Sequence, residues 1–284
     1  MKNWDEIISY ETFRYIDHTR LKAFHGEPNT AITSFAIDDA IATSVSEKES
    51  PPAIRLWAHP KTIVLGIPDG RLPFIDEGVS YLQDLGYHVM IRNSGGLAVA
   101  LDEHVLNLSL VIPDVKHVSI HDAYDAMFQF VQHMFRDLPS NIEAFEIVGS
   151  YCPGDYDLSI AGRKFAGISQ RRIKDAAAIQ IYLDVSGDSK ERARHIQEFY
   201  KLSKNDAETT FVYPEVKPEV MGSLSKLLNY PLTVEDVKQR TYDALKELSG
   251  EIITTEFSEM EKETFVKRYE QMLKRNERIK LKGM

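Results

Sequence analysis

The chain has 284 residues, 43% of them hydrophobic and 27% charged, a globular balance with apolar material for one large or two modest domains. A net charge of −9 excludes a general nucleic-acid binder, which needs a basic field to neutralise phosphates. No apolar run has the length of a signal peptide or a membrane span, and the one cysteine agrees with a reducing compartment, so the expectation is a cytoplasmic protein with no membrane partner.

In chain order the texture is mixed α and β, with no repeat at solenoid periods. Met1-Lys2-Asn3-Trp4-Asp5-Glu6 opens on polar sequence. Ile37, Ala40, Ile41 and Ser44 predict one helix face, and Val79, Leu82 and Leu85 another that Gly86 ends. After the strand-like Tyr87 to Ile91 comes Arg92-Asn93-Ser94-Gly95-Gly96-Leu97-Ala98-Val99. Its two glycines allow close backbone approach by a ligand, and a serine with successive free N–H groups can hold a carbonyl or a phosphate. By itself the segment also reads as an ordinary turn, and it matches neither a Walker loop nor a dinucleotide fingerprint. Leu106, Leu108, Leu110 and Ile112 alternate with Asn107 and Ser109, predicting a strand with one packed face. Ser119 and Asp122 form a capping box for a helix carrying Ala123, Met127, Val131 and Met134 inward, which Pro139 closes.

Cys152 lies in the turn-forming stretch Gly149-Ser150-Tyr151-Cys152-Pro153-Gly154-Asp155. A lone thiol makes no internal disulfide, and a Pro-Gly turn is an exposed place, so Cys152 is a candidate nucleophile as well as a candidate small core residue. Strands follow over Asp157 to Ile160, Arg163 to Gln170 and Ala178 to Leu183. A two-residue loop at Ala161-Gly162 would set Ser159 opposite Lys164 and Asp157 opposite Ala166, with Lys164 and Asp157 on one face; a bulge would change that facing. Lys164, flanked by small residues, is expected to point into a pocket and to stabilise the Cys152 thiolate by its charge. The nearest histidines in sequence, His133 and His195, are not adjacent to Cys152, so no Cys-His dyad is signalled.

Beyond about residue 210 the character changes, and we divide the chain into a catalytic domain over residues 1–210 and a C-terminal helical extension over residues 211–284 packed on it. Pro214, Pro218 and Pro231 punctuate the start of the extension, and Thr233 to Asp236 and Ser258 to Glu261 are capped helix starts. The basic segment from Lys262 to Lys282 reads either as a solvated helix or as a docking surface for an acidic partner. No metal-ligand spacing occurs, and no metal is expected.

Arg92-x-Ser94-Gly95-Gly96, Leu101-Asp102, Asn107, Ser150 to Leu158 and Gly162 to Gln170 occur in one order over roughly residues 30 to 190. In these motifs the chain resembles the biotin/lipoate protein ligase and octanoyltransferase superfamily, most closely its cysteine-dependent branch in Gram-positive bacteria. The resemblance implies an α+β fold of mixed β-sheets flanked by helices, of the class II synthetase-like type, with an acyl tunnel beside the Arg-x-Ser-Gly-Gly loop. It implies Cys152 as acyl-accepting nucleophile and Lys164 as the residue holding the thioester carbonyl, with Arg92, Ser94, Gly95, Gly96, Asp157 and Gly167 binding substrate. The implied activity is octanoyl amidotransfer in lipoate biosynthesis. The donor would be the octanoylated glycine cleavage H protein, and the acceptors lysines of the lipoyl domains of 2-oxoacid dehydrogenase complexes.

Two departures concern ATP. Leu97 stands where the ligases carry a third glycine, and Leu101-Asp102 where they carry His-Asp, which favours a reaction with no ATP and no cofactor. The alternatives are octanoyl transfer from octanoyl-acyl carrier protein, an ATP-dependent lipoate ligase, and a non-catalytic binder of lipoyl domains.

Overall fold

A computed structural model describes residues 4–277 and 279. In chain order it contains α1 (Trp4–Ile8), β1 (Tyr10–His18), β2 (Ala23–Phe24), β3 (Glu27–Pro28), α2 (Ala31–Ser46), β4 (Ala53–Trp57), β5 (Thr62–Leu65), α3 (Ile75–Asp84), β6 (His88–Ile91), β7 (Val99–Leu101) and β8 (Val105–Ile112). There follow α4 (Ile120–Met134), β9 (Ile142–Ala144), β10 (Asp157–Ile160), β11 (Arg163–Ile173), β12 (Ala176–Asp184), α5 (Ser189–Lys204), α6 (Leu224–Leu227), α7 (Val234–Leu248), β13 (Ser249–Ile253) and α8 (Glu259–Asn276). The main sheet runs β13-β1-β4-β8-β12-β11-β10-β9, and a second sheet runs β6-β5-β7. The fold is α+β, with mixed sheets flanked by helices, as expected.

Strand β8 shows how the layers form. Its Leu106, Leu108, Leu110 and Ile112 join Met127, Phe130 and Val131 of α4 and Val237 and Leu245 of α7 in one core. The other face was expected to be open, yet all eight residues of β8 are buried. Helix α2 and the smaller sheet cover that face, and the polar side chains there are paired: Ser109 Oγ donates to Asp38 Oδ2 at 2.6 Å, and Arg55 pairs with Asp38 at 2.8 Å. Polar residues therefore mark an interior layer in this strand, not solvent. For the same reason α2 has no single buried face at Ile37, Ala40, Ile41 and Ser44, because Ala31 to Val45 are all buried.

Helix α3 ends as read, with Gly86 just beyond it at φ +84°. The capping box at Ser119 and Asp122 is present, and Ala123, Met127, Val131 and Met134 point inward. Pro139 does not close this helix, which ends at Met134 with Phe135 as its cap. The boxes at Thr233/Asp236 and Ser258/Glu261 are also present.

Residues beyond 210 pack closely on the rest of the chain. They are mostly helical, but β13 pairs parallel with β1, and Gly222 N donates to Lys164 O at 2.9 Å. Helix α8 is not simply solvated, because Glu261, Phe265, Met272 and Asn276 are buried. Arg278, Lys280 and Lys282 of the basic segment, like Met1 to Asn3, lie outside the described residues. Glu261 pairs with Arg14 of β1 at 2.6 Å, both side chains 2% exposed, while Arg14 Nη2 donates to the carbonyls of Thr255 and Glu256. Removing one partner of a buried pair leaves an uncompensated charge. Glu261→Ala is therefore expected to cost about 3–5 kcal/mol, read as a lowered urea midpoint with an unchanged slope.

Candidate active site

The loop from Phe145 to Tyr156, between β9 and β10, is shaped by one buried ion pair. Lys164 Nζ lies 2.8 Å from Asp157 Oδ1, with the two side chains 0% and 2% exposed. Asp157 Oδ2 accepts from Ile147 N at 3.1 Å and Ser150 Oγ at 3.3 Å, while Lys164 Nζ donates to the carbonyls of Tyr151 at 2.9 Å and Cys152 at 2.7 Å. Burial pushes the Asp157 carboxyl up, and the Lys164 ammonium draws it back. Tyr151, fully buried, stacks on Tyr182. Cys152 then sits at φ +47°, a left-handed conformation uncommon outside glycine.

This geometry turns the thiol toward the second loop. Cys152 Sγ accepts from Leu97 N at 3.1 Å and from Arg92 Nη2 at 3.3 Å. Arg92 Nη2 also donates to Leu97 O at 2.9 Å. A cation and an amide N–H are the donors that a thiolate accepts. Lys164 was expected against the thiol, but its ammonium is committed to Asp157 and to two main-chain carbonyls, and Arg92 holds the place at the sulfur. The hairpin register also differs. A bulge between Leu158 and Ser159 sets Asp157 opposite Gly167 instead of Ala166, while Ser159 keeps Lys164 as its partner.

The glycines serve close approach. At Gly96, φ is +101°, and an added Cβ would fall 2.1 Å from Arg92 Nη2 and 2.9 Å from Cys152 Sγ. A Cβ on Gly167 would fall 3.0 Å from Tyr182 Cε1. Arg92, Gly95, Gly96, Cys152, Asp157 and Gly167 all line one cavity of about 220 Å³, whose apolar walls include Phe35, Trp57, Val64 and Leu101. Ser94 and Lys164 are buried off its surface, and Ser94 Oγ has no hydrogen-bond partner among the described residues.

Several contributors carry no sequence signal. Asp69 accepts from Gly66 N at 2.7 Å and from Tyr200 Oη at 3.0 Å, and Tyr200 Oη accepts from Ala98 N at 3.2 Å, so the connection between β5 and α3 and helix α5 together hold the Arg92 loop. Arg171 Nη2 donates to Asp39 Oδ2 at 2.9 Å, and Nη1 to Asn93 O at 3.2 Å, fixing the loop from the other side. Asp102 is used structurally: it pairs with Arg192 of α5, which also pairs with Asp184. His133 and His195 face Glu247 and Tyr87, away from the sulfur, whereas His121 lines the cavity.

Residues 30–246 match the family model for the lipoyl protein ligase A/B catalytic domain. The chain belongs to this family. It is 61% identical over 277 residues to the octanoyl-[GcvH]:protein N-octanoyltransferase of Oceanobacillus iheyensis, covering 98% of this chain and 99% of that one. Over 275 residues it is 42% identical to the lipoyl-[GcvH]:protein N-lipoyltransferase of Listeria monocytogenes, covering 96% and 97%. The fold is shared with lipoate-protein ligase A bound with ATP, at a TM-score of 0.69 and 16% identity over 92% of this chain and 94% of that one.

Two outcomes follow from the loop geometry. In Gly96→Ala the new methyl displaces the Arg92 guanidinium or the thiol, and displacements near 1 Å at reacting atoms cost about 100-fold. Acyl transfer is expected to fall by about that factor, checked by mass spectrometry, with an unchanged far-ultraviolet spectrum. Burial holds Asp69 at about 6 against an ordinary 3.8, so between these values the native state keeps a proton that the unfolded chain has lost. Stability therefore falls as pH rises through this window. Asp69→Asn removes that slope: from about pH 4 to pH 7 the parent should lose on the order of 3 kcal/mol relative to the variant, measured by denaturant titration.

Proposed function

We propose that this protein is a cysteine-dependent octanoyl amidotransferase that takes an octanoyl group from the lysine of octanoylated glycine cleavage H protein and delivers it to lysines of lipoyl domains of 2-oxoacid dehydrogenases. Its place is the cytoplasm. The observation that carries the reading is the Cys152 thiol, held by Leu97 N–H and Arg92 at the wall of an apolar cavity. The names of the relatives, which act on octanoyl- or lipoyl-GcvH, support the donor.

The acyl chain enters the cavity, where each buried methylene contributes about 0.8 kcal/mol. The Cys152 sulfur attacks the amide carbonyl carbon, forming the C–S bond as the carbonyl π pair moves onto oxygen. Leu97 N–H and the Arg92 guanidinium, which hold the sulfur, are the groups we assign to receive the charge on that oxygen. Collapse breaks the C–N bond, and the donor lysine leaves as an amine, its nitrogen taking the proton that the Cys152 thiol gives up. The acceptor amine then attacks the thioester, sulfur leaves with the bonding pair, and the proton given up by the acceptor nitrogen restores the thiol. Lys164 acts as a positioning residue, fixing the Cys152 carbonyl and with it the direction of the thiol.

The thermodynamics remove the need for ATP. Forming a thioester from an amide is uphill, but exchanging one lysyl amide for another is near neutral, so the reaction is reversible and needs no activated donor.

Mixing the protein with octanoylated H protein and an unmodified lipoyl domain, without ATP, is expected to give one octanoyl adduct on Cys152 and acyl on the lipoyl domain, read by intact mass. Cys152→Ser should abolish both. Transfer that persists in Cys152→Ser and requires ATP would replace the reading by a ligase.

A further inference from the structure

The floor of the cavity is a single row of cross-strand neighbours. Gly167 of β11 pairs with Tyr182 of β12, Tyr182 with Asn107 of β8, and Asn107 with Trp57 of β4. All four line the cavity. Directly paired residues face the same side of a sheet, and adjacent strands lie about 4.8 Å apart, so three steps carry the floor about 14 Å from Gly167 to Trp57. The row begins in the wall of the cavity that also holds the thiol, since Gly167 and Cys152 both line it. Its far end is closed: Phe35 of α2 packs edge-on against the indole, with ring centroids 5.7 Å apart, and the two residues are 4% and 3% exposed.

The indole is fixed as well as buried. Trp57 Nε1 donates to Ser109 Oγ at 3.2 Å, and Ser109 Oγ donates to Asp38 Oδ2 at 2.6 Å. Asp38 also receives Gln180 Nε2 at 2.7 Å and pairs with Arg55, whose guanidinium lies 5.7 Å from the Trp57 ring. A buried polar network of this kind holds one arrangement and resists rotation of the ring. With C–C bonds near 1.5 Å, an extended eight-carbon chain spans about 9 Å. Such a chain fits along the row with a few ångströms left for the indole at its far end.

We infer that Trp57, backed by Phe35 and pinned through Ser109 to the Asp38–Arg55 pair, is the stop that limits acyl chains to medium length. The inference rests on the acyltransfer reading for its substrate, but the stop itself is a property of the cavity. Chains of about eight carbons reach the indole; longer ones meet it and are excluded.

Two ladders test it on the full chain. The first is thermal stabilisation by free unbranched carboxylates of six to fourteen carbons, which needs no transfer. The second is the rate of Cys152 acylation by H protein carrying octanoyl, decanoyl or dodecanoyl groups. The parent is expected to favour octanoyl over dodecanoyl at least tenfold, with stabilisation by free acids that stops growing beyond about eight carbons. Trp57→Leu and Phe35→Leu should reduce the octanoyl preference at least tenfold and move the break in binding to longer acids. Ser109→Ala, which removes one hydroxyl and no core carbon, should blur the break in the same direction and covers the case in which the larger changes fail to fold. Octanoyl transfer with an unchanged length profile in the folded variants overturns the stop, as does a parent that shows no length break in binding. A break that moves while no acyl group is ever transferred sustains the stop and sinks the acyltransferase reading.

Discussion

The buried ion pair between Lys164 and Asp157 is the constraint on which the site depends. Taking both charges out of water costs several kcal/mol per ion unless every donor and lone pair is used, and here they are used on the loop that carries the thiol. Asp157 gathers Ile147 and Ser150, and Lys164 gathers the carbonyls of Tyr151 and Cys152. The left-handed backbone at Cys152 is thereby over-determined, which is the condition under which such strain persists at a functional position. The bulge in the β10–β11 hairpin belongs to the same arrangement, since it moves Asp157 by one position along its partner strand without breaking the pair.

A second interior charge system governs the opposite end of the cavity. One face of the main sheet carries an apolar lining beside a polar row, and α2 supplies Asp38 to satisfy Ser109, Gln180 and Arg55 together. Replacing these groups by hydrocarbon would keep the layer packed. It would also leave the rings beside it free to choose among rotamers. The two ion pairs thus fix the two ends of one cavity, one at the thiol and one at the floor's far edge.

Legibility from sequence divides along the range of the interaction. Capping boxes at Ser119, Thr233 and Ser258 were readable because both partners lie within four residues. Cys152, Lys164 and the Arg92 loop stood out in the sequence as candidates, since small and turn-forming neighbours made them poor packing choices. That Lys164 shares a face with Asp157 was readable from the hairpin, whereas its turning to the carbonyls of Tyr151 and Cys152 and leaving the sulfur to Arg92 was not, because the loop that presents them carries no pairing pattern. Asp69 and Tyr200 were silent for a different reason: each is an ordinary residue until the fold brings them together across 131 positions. Ser109 misled in the reverse sense: it reads as the open side of its strand, and its burial becomes intelligible only once Asp38 of α2 is seen to accept its hydroxyl.

Asn276, in the last turn of α8, has its side-chain amide bonded to Ile91 in both directions: Ile91 N donates to Oδ1 at 2.6 Å, and Nδ2 donates to Ile91 O at 3.1 Å. A side chain thus does for the edge of β6 what a neighbouring strand would do, at the residue immediately before Arg92. Because synthesis runs from the N-terminus, this brace reaches Ile91 only after 185 further residues have been added. The loop that meets the thiol therefore gains this main-chain support late in the life of the nascent chain, and the order of synthesis places the thiol before the brace.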